Sequence, residues 1–309
     1  MSRAPDLREI FDPPDEIIQA GLNGELVLFI GAGASMLLDL PSWSGLAGMA
    51  LEDLRVNEHL NYSEISQLKT LDPKKQLSIA YLIAEDNGYH LNLTKHLLGK
   101  TEGDTIYKAI NDIGCLCVTT NYDELLEPRY LETKDGSTTP VPVNRVAERE
   151  KFFAKLLDEP GTVIHLHGAI SKPETMIITT KEYLEHYDHE NVQTFLGELF
   201  AKKTVLFLGY GLEEAEILEH ILRRGSVHET ADRRRFALQG FFRSQQPLYA
   251  NLHSYYQKSF GVHLLGFVRD HTDYKCLEGI VKSWAKVIEI RKPPVVDDLD
   301  SMDEVLGDD

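Results

Sequence analysis

Four short apolar runs, each followed at once by glycine or polar residues, constrain the fold of this chain more than any other feature. The runs are ELVLFIG (25–31), CLCVTT (115–120), TVIHLHG (162–168) and TVLFLGYG (204–211). A short run that is apolar throughout is typical of a strand buried on both faces of a parallel sheet. Helical periodicity separates the runs, so the pattern predicts alternating strands and helices around one parallel sheet.

The helical stretch after the first run is too long for one crossover helix. From Trp43 to about residue 110, apolar residues recur at helical spacing, with breaks at Asp72-Pro73 and at Gly88. The predicted fold is therefore α/β: a Rossmann-like, doubly wound parallel sheet with a helical subdomain inserted at 43–112.

The composition is that of a globular protein with an acidic C-terminal segment. Hydrophobic residues make up 42% of the 309 residues and charged residues 26%, close to the globular average, so we expect one folded domain over 1–292. The segment 293–309 is acidic and has no basic or aromatic residue, which predicts a flexible tail. The formal charge of −17 argues against direct contact with nucleic acid, because phosphates require a concentrated basic surface.

Neither the N-terminus nor the cysteines point to export. The first residues contain no apolar signal region, and no uncharged apolar run reaches the roughly 18 residues of a membrane span. We therefore expect a cytoplasmic protein that makes no membrane contact. Cys115, Cys117 and Cys276 are odd in number, which favours a reducing compartment, and we interpret them as core thiols.

The segment FIGAGAS (29–35) completes the first run and continues beyond it. A strand that ends in Gly-x-Gly brings backbone N–H groups and a helix N-terminus to the sheet edge, where a pyrophosphate can bind. Met36 replaces the third glycine of the dehydrogenase fingerprint, which disfavours a hydride-transferring Rossmann domain. A tight strand-to-helix turn without a ligand is the alternative.

Polar side chains follow the second and third runs. An extended backbone through TTNYD places Asn121 and Asp123 on one side of the chain, although an Asx-type helix cap would use the same residues. Alternation in HLHG places His165 and His167 on one face. His167 is the candidate for function because it lies at the predicted strand end, whereas we expect His165, one pleat deeper, to be structural.

The order of these motifs resembles that of the sirtuin superfamily, and specifically of the bacterial sirtuin-like domains. GAGAS is followed by Leu-Pro-Ser-Trp, TTNYD, LHG and finally FLGYG (207–211), whose glycines suit close contact with an adenosine or form a simple turn. The resemblance covers separated motifs between about residues 25 and 215. It implies a sirtuin-like domain that binds NAD.

The resemblance assigns roles to individual residues. Asn121, Asp123 and His167 match the residues beside the nicotinamide and its ribose, with His167 as the catalytic histidine, so they form the expected catalytic group. The residues expected to contact NAD elsewhere lie in the glycine-rich turns or flank the same pocket: Gly31, Ala32, Gly33, Ser35, Trp43, Thr120, Gly209 and Gly211.

Two departures separate this chain from the sirtuin deacylases. Their Pro-Asp-Phe-Arg segment is Pro-Ser-Trp-Ser at 41–44 here, and the two Cys-x-x-Cys pairs of their zinc ribbon are absent. We therefore expect no zinc or other metal. The resulting hypothesis is an NAD glycohydrolase that forms nicotinamide and ADP-ribose. The alternatives are an NAD-dependent protein deacylase or ADP-ribosyl transferase, a non-catalytic NAD- or ADP-ribose-binding subunit, and a structural subunit.

The resemblance also implies a bacterial antiphage effector gated by assembly with another protein, such as a HerA-type ATPase, a short Argonaute or a phage-sensing domain. We expect a homo-oligomer as well, because the helical block carries more apolar positions than one crossover helix needs. An inserted layer that buries its own faces is the alternative. The positions in question are Leu46, Leu54, Leu77, Tyr81 and Leu97.

Overall fold

The computed structural model describes residues 6–98, 105–134, 137–212, 214–224, 234–271 and 274–292. Nine strands occur within these ranges. Seven of them form one parallel sheet, and the other two form a separate antiparallel hairpin. The strands are β1 (Leu26–Ile30), β2 (Leu116–Thr119), β3 (Leu131–Lys134), β4 (Ser137–Pro140), β5 (Asn144–Val146), β6 (Thr162–His165), β7 (Thr204–Leu208), β8 (Arg235–Phe241) and β9 (Val262–Val268).

Helices cover both faces of the sheet, and three of them form an inserted layer. Over the described residues they are α1 (Asp15–Leu22), α2 (Ala32–Ser35), α3 (Trp43–Val56), α4 (Tyr62–Leu68), α5 (Pro73–Asp86), α6 (Ile106–Ile113), α7 (Thr180–Tyr187), α8 (Glu190–Lys202), α9 (Ala215–Arg224), α10 (Gln246–Phe260) and α11 (Lys275–Trp284).

The strand order is β5-β6-β2-β1-β7-β8-β9, and every neighbouring pair is parallel. From β1 the chain builds one half of the sheet through β2, β5 and β6, then returns to β7 on the other side of β1. The order therefore reverses between β1 and β7, which is the topological switch point where such sheets bind ligands. The predicted Rossmann-like doubly wound sheet is confirmed.

Alternate side chains of the central strand reach the two halves of the core. Val27 and Phe29 join the cluster under α7 to α10, whereas Leu28 and Ile30 join the cluster under α1, α6 and α11. All five residues of β1 and all five of β7 are buried. Burial on both faces explains why these runs are apolar throughout rather than alternating.

The inserted helices α3, α4 and α5 enclose an apolar cluster of their own. Leu46, Leu54 and Leu77 are at most 2% exposed, Leu97 is buried as well, and Tyr81 packs against the same cluster. The interpretation that these positions present surface to a second subunit is therefore wrong, because the layer buries them within itself. Helix α6 is not part of this inserted layer. It packs against α11 on one face of the parallel sheet.

The stretch between β2 and β6 differs from the polar, helical segment that the sequence suggests. It holds the β3–β4 hairpin, the three-residue strand β5 and two short 3-10 helices. The strand predicted over 162–168 also ends earlier, at His165.

The acidic segment 293–309 lies outside the described residues. No helix in the described ranges is both long and apolar enough to cross a membrane.

The close approach of β1 and β7 at their carboxyl ends generates a stability prediction. Gly209 has a φ of +61°, and a Cβ at this position would overlap the backbone nitrogen of Ala34. We expect Gly209→Ala to lower the free energy of unfolding by roughly 2 kcal/mol or more, because a left-handed backbone and a steric overlap act together. Chemical denaturation monitored by circular dichroism measures this loss.

Gly48→Ala is the matched control. Gly48 lies within α3, and a Cβ there would meet no atom within 4 Å. Alanine should therefore stabilise this helix by roughly 0.5–1 kcal/mol. Equal effects of the two substitutions would contradict the packing role of Gly209.

Candidate functional site

A cavity of about 640 Å³ lies at the carboxyl ends of β1, β2 and β7. Its volume falls within the roughly 300–1,000 Å³ of small-molecule sites, and its position is that of ligands in doubly wound sheets. Of the residues predicted for the site, all but Gly31 line this cavity. They are Ala32, Gly33, Ser35, Trp43, Thr120, Asn121, Asp123, His167, Gly209 and Gly211.

The two glycine-rich turns pack directly against each other beneath the cavity. The N–H of Gly31 donates to the Leu208 carbonyl at 2.9 Å, and the N–H of Gly33 donates to the Gly209 carbonyl at 2.8 Å. A Cβ on Gly31 would lie 2.7 Å from the Gly209 oxygen. These glycines therefore allow two backbones to meet, and the N–H of Gly33 is directed at protein in this structure.

Asn121 is held by the turn after β1. Its Nδ2 donates to the Gly31 carbonyl at 3.0 Å and to Ser35 Oγ at 2.8 Å. A backbone carbonyl can only accept, so the amide nitrogen must face Gly31. Among the described residues the amide oxygen of Asn121 has no hydrogen-bond partner, which makes it the atom of this side chain that can accept from a ligand.

Ser35 joins Asn121 to Asp123. Ser35 Oγ donates its one proton to Asp123 Oδ2 at 2.7 Å, so its lone pairs accept from Asn121. Burial raises the pKa of Asp123, while the hydrogen bond from Ser35 opposes that rise. Both predicted polar residues of TTNYD thus converge on the helix that follows the first glycine-rich turn.

Tyr107 completes this network and was not identified from the sequence. Its hydroxyl lies 2.8 Å from Ser35 Oγ and 3.2 Å from Asn121 Nδ2. Tyr107 is buried on α6, and burial raises the pKa of its hydroxyl well above the usual value, so the group stays protonated. No motif marks this residue in the sequence, and nothing in the sequence placed it beside TTNYD.

His167 follows β6 and is 1% exposed. Its Nε2 lies 2.8 Å from the Tyr187 hydroxyl and its Nδ1 lies 3.2 Å from the Tyr183 hydroxyl. Burial lowers the pKa of His167 well below its usual value, and the positive charge of Lys74 and the ring of His186 act in the same direction. The imidazole is therefore neutral near pH 7, with one nitrogen able to accept a proton.

The backbone around His167 is fixed by the loop that follows it. Gly168 has a φ of +88°, and a Cβ there would overlap the Thr175 carbonyl. The carbonyl of His167 accepts from the N–H of Ile177 at 2.9 Å. His165 is fully buried, with Nδ1 3.3 Å from the Asn121 carbonyl, and it is not among the residues that line the cavity.

Aromatic side chains form one wall of the cavity. The Trp43 ring lies 5.9 Å from that of Tyr122 and 6.3 Å from that of Tyr183. Helix α3 begins at Trp43 because Ser42 Oγ accepts from the N–H of Gly45 at 3.1 Å. Several further residues line the cavity that the sequence motifs did not indicate, among them Lys74, Tyr183, Tyr210, Glu214 and Gln239.

The described residues contain no group of three or more His, Cys, Asp or Glu side chains suited to hold a metal ion. Cys115, Cys117 and Cys276 are buried and form no disulfide. Cys276 Sγ donates to the Glu9 carbonyl at 2.9 Å, on the α11 side of the sheet.

Comparison with known proteins agrees with this geometry. Residues 116–260 match the family described as SIR2-like domain. The chain is 28% identical over 220 residues to the NAD(+) hydrolase ThsA of Cytobacillus dafuensis, a match that covers 68% of this chain and 40% of that protein. It is 24% identical over 216 residues to the Defense-associated sirtuin 2 of Bacillus subtilis, covering 65% of this chain and 19% of that protein.

This chain spans less than half the length of either relative, so both contain sequence beyond the part that matches. The matched family region begins in β2 and runs to the end of α10, and it includes Asn121, His167 and the second glycine-rich turn. Residues 116–260 are therefore similar to a SIR2-like domain, and the resemblance to bacterial sirtuin-like domains predicted from the order of the motifs is confirmed.

Proposed function

We propose that this chain binds NAD in the cavity at the ends of β1, β2 and β7 and hydrolyses it to nicotinamide and ADP-ribose. The observation that carries the proposal is that Asn121 and His167, from loops after different strands, line one cavity at the switch point of a SIR2-like fold. The names of the two relatives, a NAD(+) hydrolase and a defence-associated sirtuin, support this reaction and a role in antiphage defence.

Cleavage of the nicotinamide–ribose bond develops positive charge on the ribose, as in glycoside hydrolysis. Water adds through its oxygen to the anomeric carbon, the bonding pair leaves with nicotinamide, which becomes neutral, and one water proton is released. The amide oxygen of Asn121 accepts from this water or from a ribose hydroxyl and so positions it. The neutral ring of His167 accepts the proton or polarises a ribose hydroxyl.

Asp123, which also lines the cavity, supports this step. Its carboxylate was expected to meet the nicotinamide amide or the developing charge, and its contact with Ser35 adds a second role. Through Ser35 and Tyr107 it holds the amide of Asn121 in one orientation. A fixed dipole beside the reaction centre lowers the barrier because it does not reorganise during the reaction.

We also propose that the domain works as a homo-oligomer whose NAD cleavage is gated by a separate protein, such as a HerA-type ATPase. Unrestrained loss of NAD would be toxic to the cell, so an effector of this kind needs control. The inserted layer leaves some apolar side chains exposed that another subunit could cover, namely Met49, Val56 and Leu82.

Removing either candidate catalytic side chain should abolish most of the activity. Asn121→Ala and His167→Ala are each expected to lower the rate of NAD cleavage by roughly 100-fold or more, because each removes a charge-stabilising or acid–base group. Release of nicotinamide and ADP-ribose, quantified by chromatography, measures this rate. Circular dichroism checks that the fold survives.

His90→Ala, at an exposed position outside this cavity, is the matched control and should cleave NAD at the wild-type rate. Wild-type turnover by a folded His167→Ala variant would remove this assignment.

An acylated lysine peptide added to the same assay tests the deacylase alternative, since deacylation would consume the peptide together with NAD.

Tyr107→Phe tests the hydrogen-bond network behind Asn121. Loss of the hydroxyl removes a buried partner of Ser35 and Asn121, so the free energy of unfolding should fall by about 1–2 kcal/mol and NAD cleavage should slow. Tyr89→Phe is the control, because the Tyr89 hydroxyl contacts the exposed side chain of Asn57. Tyr89→Phe should change the free energy of unfolding by no more than about 0.5 kcal/mol. Equal stability and activity of both variants would sink the proposed network.

Assembly is tested by light scattering combined with the activity assay. The chain is expected to elute as an oligomer, and its NAD cleavage is expected to rise when the candidate partner is added. Val56→Lys, on the exposed side of α3, should weaken the oligomer because it places a charge in the proposed contact. A fully active monomer would refute the assembly proposal while leaving the NAD site untouched.

A further inference from the structure

A chain of polar contacts leads away from His167 to a carboxyl group that the mechanism above does not use. His167 Nε2 lies 2.8 Å from the Tyr187 hydroxyl, which lies 3.4 Å from Glu214 Oε2. The direct distance from Nε2 to Oε2 is 3.8 Å. The three residues come from the loop after β6, from α7 and from the segment before α9, and both His167 and Glu214 line the cavity.

The backbone at Leu212, near Glu214 in the sequence, is unusual. Leu212 adopts a φ of +54°, in the left-handed region that side chains other than glycine rarely occupy, and it is buried. Such conformations persist where the surrounding structure holds them, and they are found preferentially at functional sites. Only 21% of the Glu214 side chain is exposed, and its Oε2 lies 3.4 Å from the Tyr187 hydroxyl.

The protonation of Glu214 and the position of the proton on His167 are coupled through the Tyr187 hydroxyl. The Tyr187 hydroxyl has a single proton, so it can donate either to Glu214 or to His167. When Glu214 is a carboxylate it can only accept, so Tyr187 donates to it and the tyrosine oxygen accepts from an N–H at Nε2. When Glu214 is protonated it can donate to the tyrosine oxygen, and Tyr187 then donates to a bare Nε2, which moves the ring proton to Nδ1.

We propose that Glu214 is a positioning residue that sets the tautomer of His167 through Tyr187, and so determines which ring nitrogen can accept a proton. With Glu214 ionised, Nδ1 is the accepting nitrogen. In the free protein that atom contacts the hydroxyl of Tyr183, which lines the cavity. The consequence for catalysis rests on the proposed NAD hydrolysis, whereas the tautomer itself does not.

Both states of Glu214 are populated close to neutrality. Burial raises the pKa of Glu214 to about 7, while the positive charge of Lys74 opposes the rise. His167 does not become charged over the same range, because its own pKa lies well below the usual value. The titratable groups that face Glu214, Tyr187 and His167 from the surrounding elements are Lys74, Tyr122, Tyr183, His186, Tyr210, Glu216 and His220.

The test is a direct measurement of the tautomer. The full chain is labelled with ¹⁵N-histidine, and long-range ¹H–¹⁵N spectra of the imidazole rings are recorded between about pH 6 and pH 8.5. The His167 signals are identified by their loss in His167→Gln. We expect the proton on Nε2 at the upper end of this range and its transfer to Nδ1 at the lower end, with a midpoint near the pKa of about 7 of Glu214.

Glu214→Gln keeps the size of the side chain but cannot ionise, so the tautomer of His167 should no longer change with pH. Tyr187→Phe should uncouple the two ends in the same way while leaving the carboxyl in place. Glu216→Gln is the matched control: Glu216 pairs with Lys74 at 3.1 Å, and the pH-dependent change should remain in this variant. An unchanged transition in Glu214→Gln, or no transition in the wild-type protein, would overturn the proposal.

The pH dependence of NAD cleavage separates this inference from the proposed function. Wild-type cleavage should fall as the pH drops below about 7, because protonation of Glu214 removes the accepting lone pair from Nδ1, and Glu214→Gln should lose this dependence. If the tautomer changes as expected but NAD is never cleaved, the proposed function fails and the inference stands. If NAD is cleaved and the tautomer of His167 is insensitive to Glu214, the inference fails alone.

Discussion

The contact between the turns after β1 and β7 is the constraint on which the site depends. The two backbones lie so close that Gly31, Gly33 and Gly209 leave no room for a side chain. The N–H groups of Gly31 and Gly33 donate to the Leu208 and Gly209 carbonyls at 2.9 and 2.8 Å across the switch point of the sheet. This contact fixes where α2 begins, and Ser35 at the end of α2 reaches both Asn121 and Asp123. A shift of either turn would therefore displace the candidate catalytic amide.

The polar groups around Asn121 hydrogen-bond to one another and are almost fully buried. A buried donor or acceptor without a partner costs roughly 1–3 kcal/mol, so hydroxyls, amide and carboxyl are stable there only as a connected set. The Asn121 network meets this requirement and leaves one amide oxygen for a ligand. On the other side of the cavity, His167 has a tyrosine hydroxyl at each ring nitrogen. Both candidate catalytic side chains are thus held by hydrogen bonds within the protein.

The sequence predicted the parts of this structure that depend on local pattern. The apolar runs identified the strands that are buried on both faces, and the residues after them converge on one cavity as expected. Strand β5 has only three residues and the β3–β4 hairpin is polar and mostly exposed, so neither produced an apolar signal. Tyr107 and Glu214 were missed because they reach the site through tertiary packing, Tyr107 from α6 and Glu214 from the segment before α9. The apolar surplus of the inserted layer was misread because its burial depends on how α3, α4 and α5 meet.

Electrostatics sets a constraint on a chain with a formal charge of −17 that is proposed to bind a dinucleotide. Among the described residues that line the cavity, Lys74 is the only lysine or arginine, and it is paired with Glu216. Side-chain cations therefore offer little to neutralise a pyrophosphate. Backbone N–H groups and helix N-termini attract phosphate through fixed partial charges and need no basic side chain. At the first glycine-rich turn, however, the N–H groups of Gly31, Gly33 and Ala34 already donate to carbonyls of the protein. The small residues at 31–34 therefore serve the contact between the two turns, and a pyrophosphate would have to be held by other groups of the cavity lining.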